Sequence, residues 1–292
     1  MLISMSTRLR AIARDTVEAL RRGSYRTSHG TEVAIAEPLA RAVAGTRLYL
    51  PDDALPPAPT AVADPTVEVT NESTLAATRR LGGDLACLVF ASARNPGGGF
   101  RNGAQAQEES IARSSGLFAC LVAARDFYTA HRADPDLGYS DRVIYSPRVP
   151  VFRDDHGRPL PAPYPVSFLT AAAPNRAAML RHQPDRLADV PALLRRRAAR
   201  VLAVAAAHGH RRLVLGAWGC GVFGNEPTVV AEAFAAALRA GPWFDHVVFA
   251  VLDRRRGAPT HAAFQRVLGH RAEDVGRPRD ARVPEATEET AR

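Results

Sequence analysis

LACLVFASARNPGGGFRNGAQAQEES, residues 85–110, joins an almost unbroken apolar run to a helix-like stretch through a glycine-rich turn. The run from Leu85 to Phe90 has strand length and lacks polar alternation, the pattern of a strand buried on both faces. From Gln107 to about His131, Ile111, Phe118, Leu121 and Val122 recur at helical spacing, which predicts one long helix. Buried strand, tight loop and helix form the unit from which helix-covered sheets are built.

The same alternation extends in both directions. Leu9, Ile12, Val17 and Leu20 predict a helix from Ser6 to Gly23, and the Pro/Ala-rich stretch from Pro51 to Pro65 reads as a linker. Thr66 to Thr70 is a short strand and Ser73 to Leu81 a helix. Val143 to Tyr145 and Val166 to Thr170 read as strands around a turn at Asp154-Asp155-His156-Gly157. Leu187, Leu194, Val201 and Ala205 mark a helix ended by His208-Gly209. Strands at Leu213 to Leu215 and Val247 to Leu252, with helices at Thr228 to Leu238 and His261 to Leu268, complete the series. The expectation is an α/β fold with a mixed or mostly parallel sheet covered on both faces. From Arg271 onward apolar content collapses, and a disordered tail is expected.

Composition narrows the function classes. The 292 residues, 46% hydrophobic and 23% charged, suit one large domain and exclude wholesale disorder. No apolar run approaches the ~18 residues a membrane span needs. The first ten residues lack a signal-peptide pattern, so a cytoplasmic protein with reduced thiols is expected, and a monomer away from membranes. Cys87, Cys120 and Cys220 are too widely spaced for a zinc site, and the nine histidines have no metal-ligand spacing, so no metal or cofactor is expected. The formal charge of +8 comes entirely from arginine. Those arginines are scattered and aromatics reach only 7%, which does not make a nucleic-acid face.

Two loops carry the chemistry. In the first, Gly97, Gly98 and Gly99 let backbone N–H groups approach an anion or sugar, and the helix start adds partial positive charge. A flexible turn would read the same for the glycines alone. With Gln107 and the adjacent Glu108 and Glu109 at the same junction, a ligand site is the better reading. The second loop, Leu215-Gly216-Ala217-Trp218-Gly219-Cys220-Gly221-Val222-Phe223-Gly224-Asn225-Glu226-Pro227, also lies between a strand and a helix. Loops at the carboxyl ends of strands line the ligand crevice of open α/β sheets, so one phosphate-bearing ligand between the two is expected. Neither loop is a Walker motif or a Rossmann fingerprint. Asn71, at the tip of the first strand, could reach the adenosine end of such a ligand or cap the next helix.

Triple glycine followed by Gln-Glu-Glu resembles the signature of poly(ADP-ribose) glycohydrolases of the microbial type, whose core is a macrodomain. The resemblance extends to Tyr145-Ser146-Pro147, Phe152-Arg153-Asp154-Asp155, Ala171-Ala172-Ala173-Pro174-Asn175 and Gly216 through Pro227, in order over roughly residues 66 to 268. It implies a macrodomain-like three-layer α/β/α fold in residues 61–269, after an N-terminal helical extension and linker in residues 1–60 and before a tail in 270–292. It implies Glu109 as the catalytic acid/base and Glu108 as the residue orienting the ribose hydroxyls, with Gln107 helping to hold the sugar. Gly97, Gly98, Gly99, Gly219, Cys220, Gly221, Val222, Gly224 and Asn225 would form the diphosphate cradle, and Phe223 would pack on the terminal ribose, the alternative for it being a loop anchor into the core. Adjacent helical residues point ~100° apart, so Glu108 and Glu109 cannot share one proton as a dyad. The implied partners are poly(ADP-ribose), ADP-ribose and ADP-ribosylated proteins or DNA. Two alternatives stay open: a reader that binds ADP-ribose without cleaving polymer, and a hydrolase acting on protein- or DNA-linked ADP-ribose.

Overall fold

The computed structural model describes residues 5–57, 60–61 and 65–269. Helix α1 (Met5–Arg22) leads into a hairpin of β1 (Ser24–Arg26) and β2 (Glu32–Ala34), then α2 (Ala36–Gly45) and β3 (Arg47–Tyr49). After the proline-rich stretch come β4 (Thr66–Thr70), α3 (Thr74–Leu81) and β5 (Ala86–Phe90). Three short helices follow, α4 (Gln107–Ser114), α5 (Leu117–Ala123) and α6 (Asp126–Ala133), then the long strands β6 (Val143–Arg153) and β7 (Pro159–Ala171). Last come α7 (Arg176–His182), α8 (Val190–Ala207), β8 (Arg212–Gly216), α9 (Pro227–Ala240), β9 (His246–Ala250) and α10 (Pro259–Leu268).

Seven strands form the central sheet in the order β3-β6-β7-β5-β8-β9-β4. From β7 to β4 every pairing is parallel, while β6 runs antiparallel to both β7 and β3, so the sheet is mixed. Strand β5 shows why the apolar run is unbroken. Ala86 and Leu88 enter the core on the α8–α9 face, and Cys87 and Val89 enter the core beneath α3 to α6. With no solvent face, no position on β5 calls for a polar residue. The parallel strands end along one edge, and both glycine loops leave from that edge.

The structure departs from the sequence expectations in three places. Residues 107–131 fall in three helices, and α4 stops because Ser115 turns to extended geometry and bridges Val151 while Gly116 donates to the Pro150 carbonyl at 2.9 Å. The apolar spacing runs through the break because Ile111 on α4, Leu121 on α5 and Phe127 on α6 enter one core, although Val122, expected on the same face, is exposed. Strands β6 and β7 are 11 and 13 residues long, far beyond the expected 143–145 and 166–170. Their prolines sit at register shifts and beyond the sheet's centre, where a missing N–H is tolerated. The N-terminal segment adds strands to its helices, and β3 forms an edge of the central sheet. The tail expected beyond Arg271 lies outside the described residues.

Helix α1 also braces the first glycine loop. Ala13 packs with buried Phe100 and Ala112, and the would-be Cβ of Gly103 lies 2.6 Å from the Ser6 carbonyl. Glycine at 103, with φ +82°, therefore lets the helix sit directly on the loop.

Candidate active site

The β5–α4 junction is built by side chains that reach back to the strand and loop. Gln107 accepts from Phe90 N–H at 2.9 Å and donates to the Leu88 carbonyl at 2.7 Å. Its amide thus fastens α4 to β5, a structural role beside the sugar contact expected of it. Glu108 is only 3% exposed, and its Oε2 accepts from Ser92 N–H at 2.7 Å. Its Oε1 is buried with no hydrogen-bond partner. Glu109 is half-buried, and its Oε1 accepts from Gly99 N–H at 3.0 Å.

The triple glycine wraps these carboxylates. Gly97 N–H points at Glu108, Gly98 donates to the Asn95 carbonyl at 3.0 Å, and Gly99 holds Glu109. A Cβ on Gly98, whose φ is +57°, would lie 2.4 Å from Glu109 Oε1 and 3.0 Å from Glu108 Oε2. The N–H groups of Gly97 and Gly99 therefore position carboxylates and that of Gly98 closes the turn, which leaves none of the three over for the expected diphosphate contacts. Arg113, one helical turn beyond Glu109 and buried, donates to the Ala104 carbonyl at 2.6 Å and interacts electrostatically with Glu109. Arg113 is absent from the residues expected at the site, although its i,i+4 spacing from Glu109 is a visible signal.

Burial pushes the Glu108 carboxyl well above the ordinary range; the Glu109 charge adds to this, and the Ser92 and Gly97 N–H groups oppose it. A carboxyl whose folded pKa lies above its unfolded value binds more protons in the folded state. Its contribution to stability therefore falls as pH rises from the unfolded value through the folded one. Glu108→Gln is expected to melt close to wild type near pH 4 and above it by a margin that widens between pH 5 and 8. Thermal scans across that range check this, and a margin independent of pH would refute it.

The second loop differs in having donors to spare. Gly219 has φ +72°, and a Cβ there would lie 2.4 Å from Asn225 Nδ2. Asn225 is buried, donates from Nδ2 to the Pro174 carbonyl at 2.9 Å and leaves Oδ1 unpartnered. Gly224, with φ +68°, closes the turn onto the Gly221 carbonyl. Between these anchors, the N–H groups of Gly221, Val222 and Phe223 make no hydrogen bond among the described residues. Val222 is 87% exposed and Gly221 has open space where a Cβ would go. Burial pushes the Cys220 thiol up to about 12, which removes it as a nucleophile at neutral pH.

Both loops are tied to the end of β7. The Ala171 carbonyl accepts from Ala91 N–H at 3.2 Å, where the first loop begins, and from Trp218 Nε1 at 3.0 Å in the second. Asn71 is placed differently. It exchanges two hydrogen bonds with the Asp253 backbone, at 2.8 and 3.2 Å, and so joins the ends of β4 and β9. Ser73, accepting from Ala76 N–H at 3.0 Å, is the cap of α3. No group of three or more His, Cys, Asp or Glu side chains suited to a metal ion occurs among the described residues.

Residues 13–154 match the family model for the microbial-type PARG (poly(ADP-ribose) glycohydrolase) catalytic domain. The chain is similar to a poly(ADP-ribose) glycohydrolase structure from Thermomonospora curvata at 55% identity and TM-score 0.84, over 89% of this chain and 99% of that one. A structure of that enzyme bound to the inhibitor ADP-HPD aligns at 54% identity and TM-score 0.80, over 89% and 98%. The Deinococcus radiodurans poly(ADP-ribose) glycohydrolase in complex with ADP-ribose aligns at 46% identity and TM-score 0.75, over 80% and 98%. The search of curated proteins gave no match. A mixed sheet between helical layers, two glycine loops at one edge and paired glutamates on α4 thus coincide with close similarity over nearly whole chains: this chain belongs to the microbial-type poly(ADP-ribose) glycohydrolase family.

Proposed function

We propose that the chain hydrolyses the ribose–ribose O-glycosidic bond of poly(ADP-ribose) and releases ADP-ribose, with Glu109 as general acid and base. The observation that carries this is Glu109 held by Gly99 N–H beside a buried, partly unpartnered Glu108. Protonated Glu109 donates to the leaving oxygen as an oxocarbenium-like centre develops, then as carboxylate takes a proton from the attacking water. The free Glu108 Oε1 accepts from a ribose hydroxyl and fixes the sugar. The N–H groups of Gly221, Val222 and Phe223 receive the diphosphate, with no lysine or metal called upon. Phe223 packs on the terminal ribose. Residues 61–269 carry this machinery and the N-terminal 60 brace it. The partners are free polymer and chains on proteins or DNA, met in the cytoplasm by a monomer. Among the described residues no helix is long and apolar enough to cross a membrane.

A reader would have no use for a second, deeply buried carboxylate next to the first. Calorimetry with ADP-ribose beside a polymer-degradation assay separates the two readings: tight binding with no ADP-ribose released from polymer would establish the reader.

The second loop gives an independent test. Gly221 has ordinary φ and open space at its Cβ position, so valine there leaves the fold intact and crowds only an incoming ligand. Gly221→Val is expected to weaken ADP-ribose binding by about 1–2 kcal/mol, the scale of losing charge-assisted hydrogen bonds. Calorimetry on the folded variant measures it. Unchanged affinity would move the diphosphate away from this loop.

A further inference from the structure

Tyr139 lies in the connection between α6 and β6, outside both glycine loops, and carries φ +57°. A bulky residue in the left-handed region is strained unless its surroundings compel it. Here they do. Arg197 on α8 is fully buried, and its Nη2 donates to the carbonyls of Gly138 at 3.0 Å and Tyr139 at 3.1 Å. Its Nη1 donates to the Ala172 carbonyl at 2.6 Å and its Nε to Asp141 at 2.9 Å, with Arg196 on the other Asp141 oxygen. His131 Nε2 accepts from Ser140 N–H at 3.2 Å, and Asn175 N–H donates to the Leu137 carbonyl at 2.9 Å. A buried guanidinium is costly, and this one is spent on fixing a five-residue stretch of loop to the end of β7.

That effort delivers one ring to one place. The Tyr139 ring stands 6.0 Å from the Phe223 ring, at 46°. Phe223, half-buried, packs against the core on the α8–α9 face, and Tyr139 against the core on the other face. Phe223 is also held from behind, where its carbonyl accepts from Ala177 N–H at 2.9 Å. Its ring, however, projects from a loop whose neighbouring N–H groups are unbound.

We propose that Tyr139 is a positioning residue: its strained, Arg197-clamped ring is the backstop that holds Phe223 in the orientation needed over the ribose. This rests on the reading of Phe223 given above. The ring does the work, because the Tyr139 hydroxyl has only a long 3.5 Å contact from Asn175 Nδ2.

A double-mutant cycle on the full chain tests the idea, reading kcat on polymer, ADP-ribose affinity and melting temperature. Tyr139→Phe keeps the ring and should stay near wild type. Tyr139→Ala should lower kcat about tenfold, as for a misplaced reacting group, while ADP-ribose affinity changes less than about threefold. In a Phe223→Ala background the same change should cost less than about twofold, since the ring then has nothing to hold. Tyr139→Gly suits the left-handed backbone and should melt above Tyr139→Ala, yet be equally slow, so rate follows the ring and not stability. A full tenfold loss persisting in the Phe223→Ala background would mean Tyr139 acts on its own and would overturn the proposal. So would a wild-type rate for Tyr139→Ala. If Phe223→Ala alone turns over normally, the reading of Phe223 falls and the proposal with it.

Discussion

Glu109→Gln is expected to lower polymer turnover by at least about 100-fold, the low end of what a positioned acid/base supplies. The glutamine keeps the size of the side chain, and its Oε1 can still accept from Gly99 N–H as the carboxylate does at 3.0 Å. What it lacks is the proton to give to the leaving oxygen and the charge to take one from water. ADP-ribose affinity should therefore stay within a few-fold of wild type, and calorimetry beside release of ADP-ribose from labelled polymer separates the two quantities. Glu108→Ala should also be slow, for a different reason. It removes the acceptor of the Ser92 and Gly97 N–H groups, so the loop around the first glycines loses its anchor. Wild-type turnover by Glu109→Gln would remove Glu109 from the chemistry and pass the acid/base role to another group.

Glu108 and Glu109 were legible as a pair because two adjacent carboxylates after three glycines have little purely structural reason to occur together. The partners of their neighbours were not legible. Gln107 reads as a polar side chain at a ligand junction, and only coordinates place its amide across Leu88 and Phe90. Nor does sequence reveal that Gly97, Gly98 and Gly99 direct their N–H groups inward, whereas Gly221 to Phe223 do not. The central strand from Leu85 was plain because burial on both faces leaves no polar residue in it. By contrast, β3 has three residues, too few for any period, and the ends of β6 and β7 were hidden by Pro147, Pro150, Pro159, Pro163 and Pro165. The break at Ser115-Gly116 was hidden by apolar spacing that continues across it. Arg197 and Tyr139 could not be connected at all, since their link is a hydrogen bond spanning 58 residues.

Gly98→Ala should be nearly as damaging to turnover as the loss of Glu109, though no reacting group is touched. Two costs fall on this residue. An L side chain at φ +57° is strained by about 1–2 kcal/mol, and the new methyl would lie 2.4 Å from Glu109 Oε1. The methyl cannot be accommodated where the carboxylate now sits, so Glu109 must leave Gly99 N–H or the loop must open. Displacing a reacting group by about 1 Å is enough for a loss near 100-fold in kcat. Gly209 supplies the control that separates the two costs. It also has a positive φ, +76°, has nothing within 4 Å of its Cβ position, and lies between α8 and β8 at the opposite end of the sheet. Gly209→Ala should therefore lose a similar amount of thermal stability to backbone strain and keep its full rate. If Gly98→Ala is destabilised like Gly209→Ala yet turns over polymer normally, the glycine serves only the turn. The close approach of the loop to Glu109 would then have no part in placing the acid.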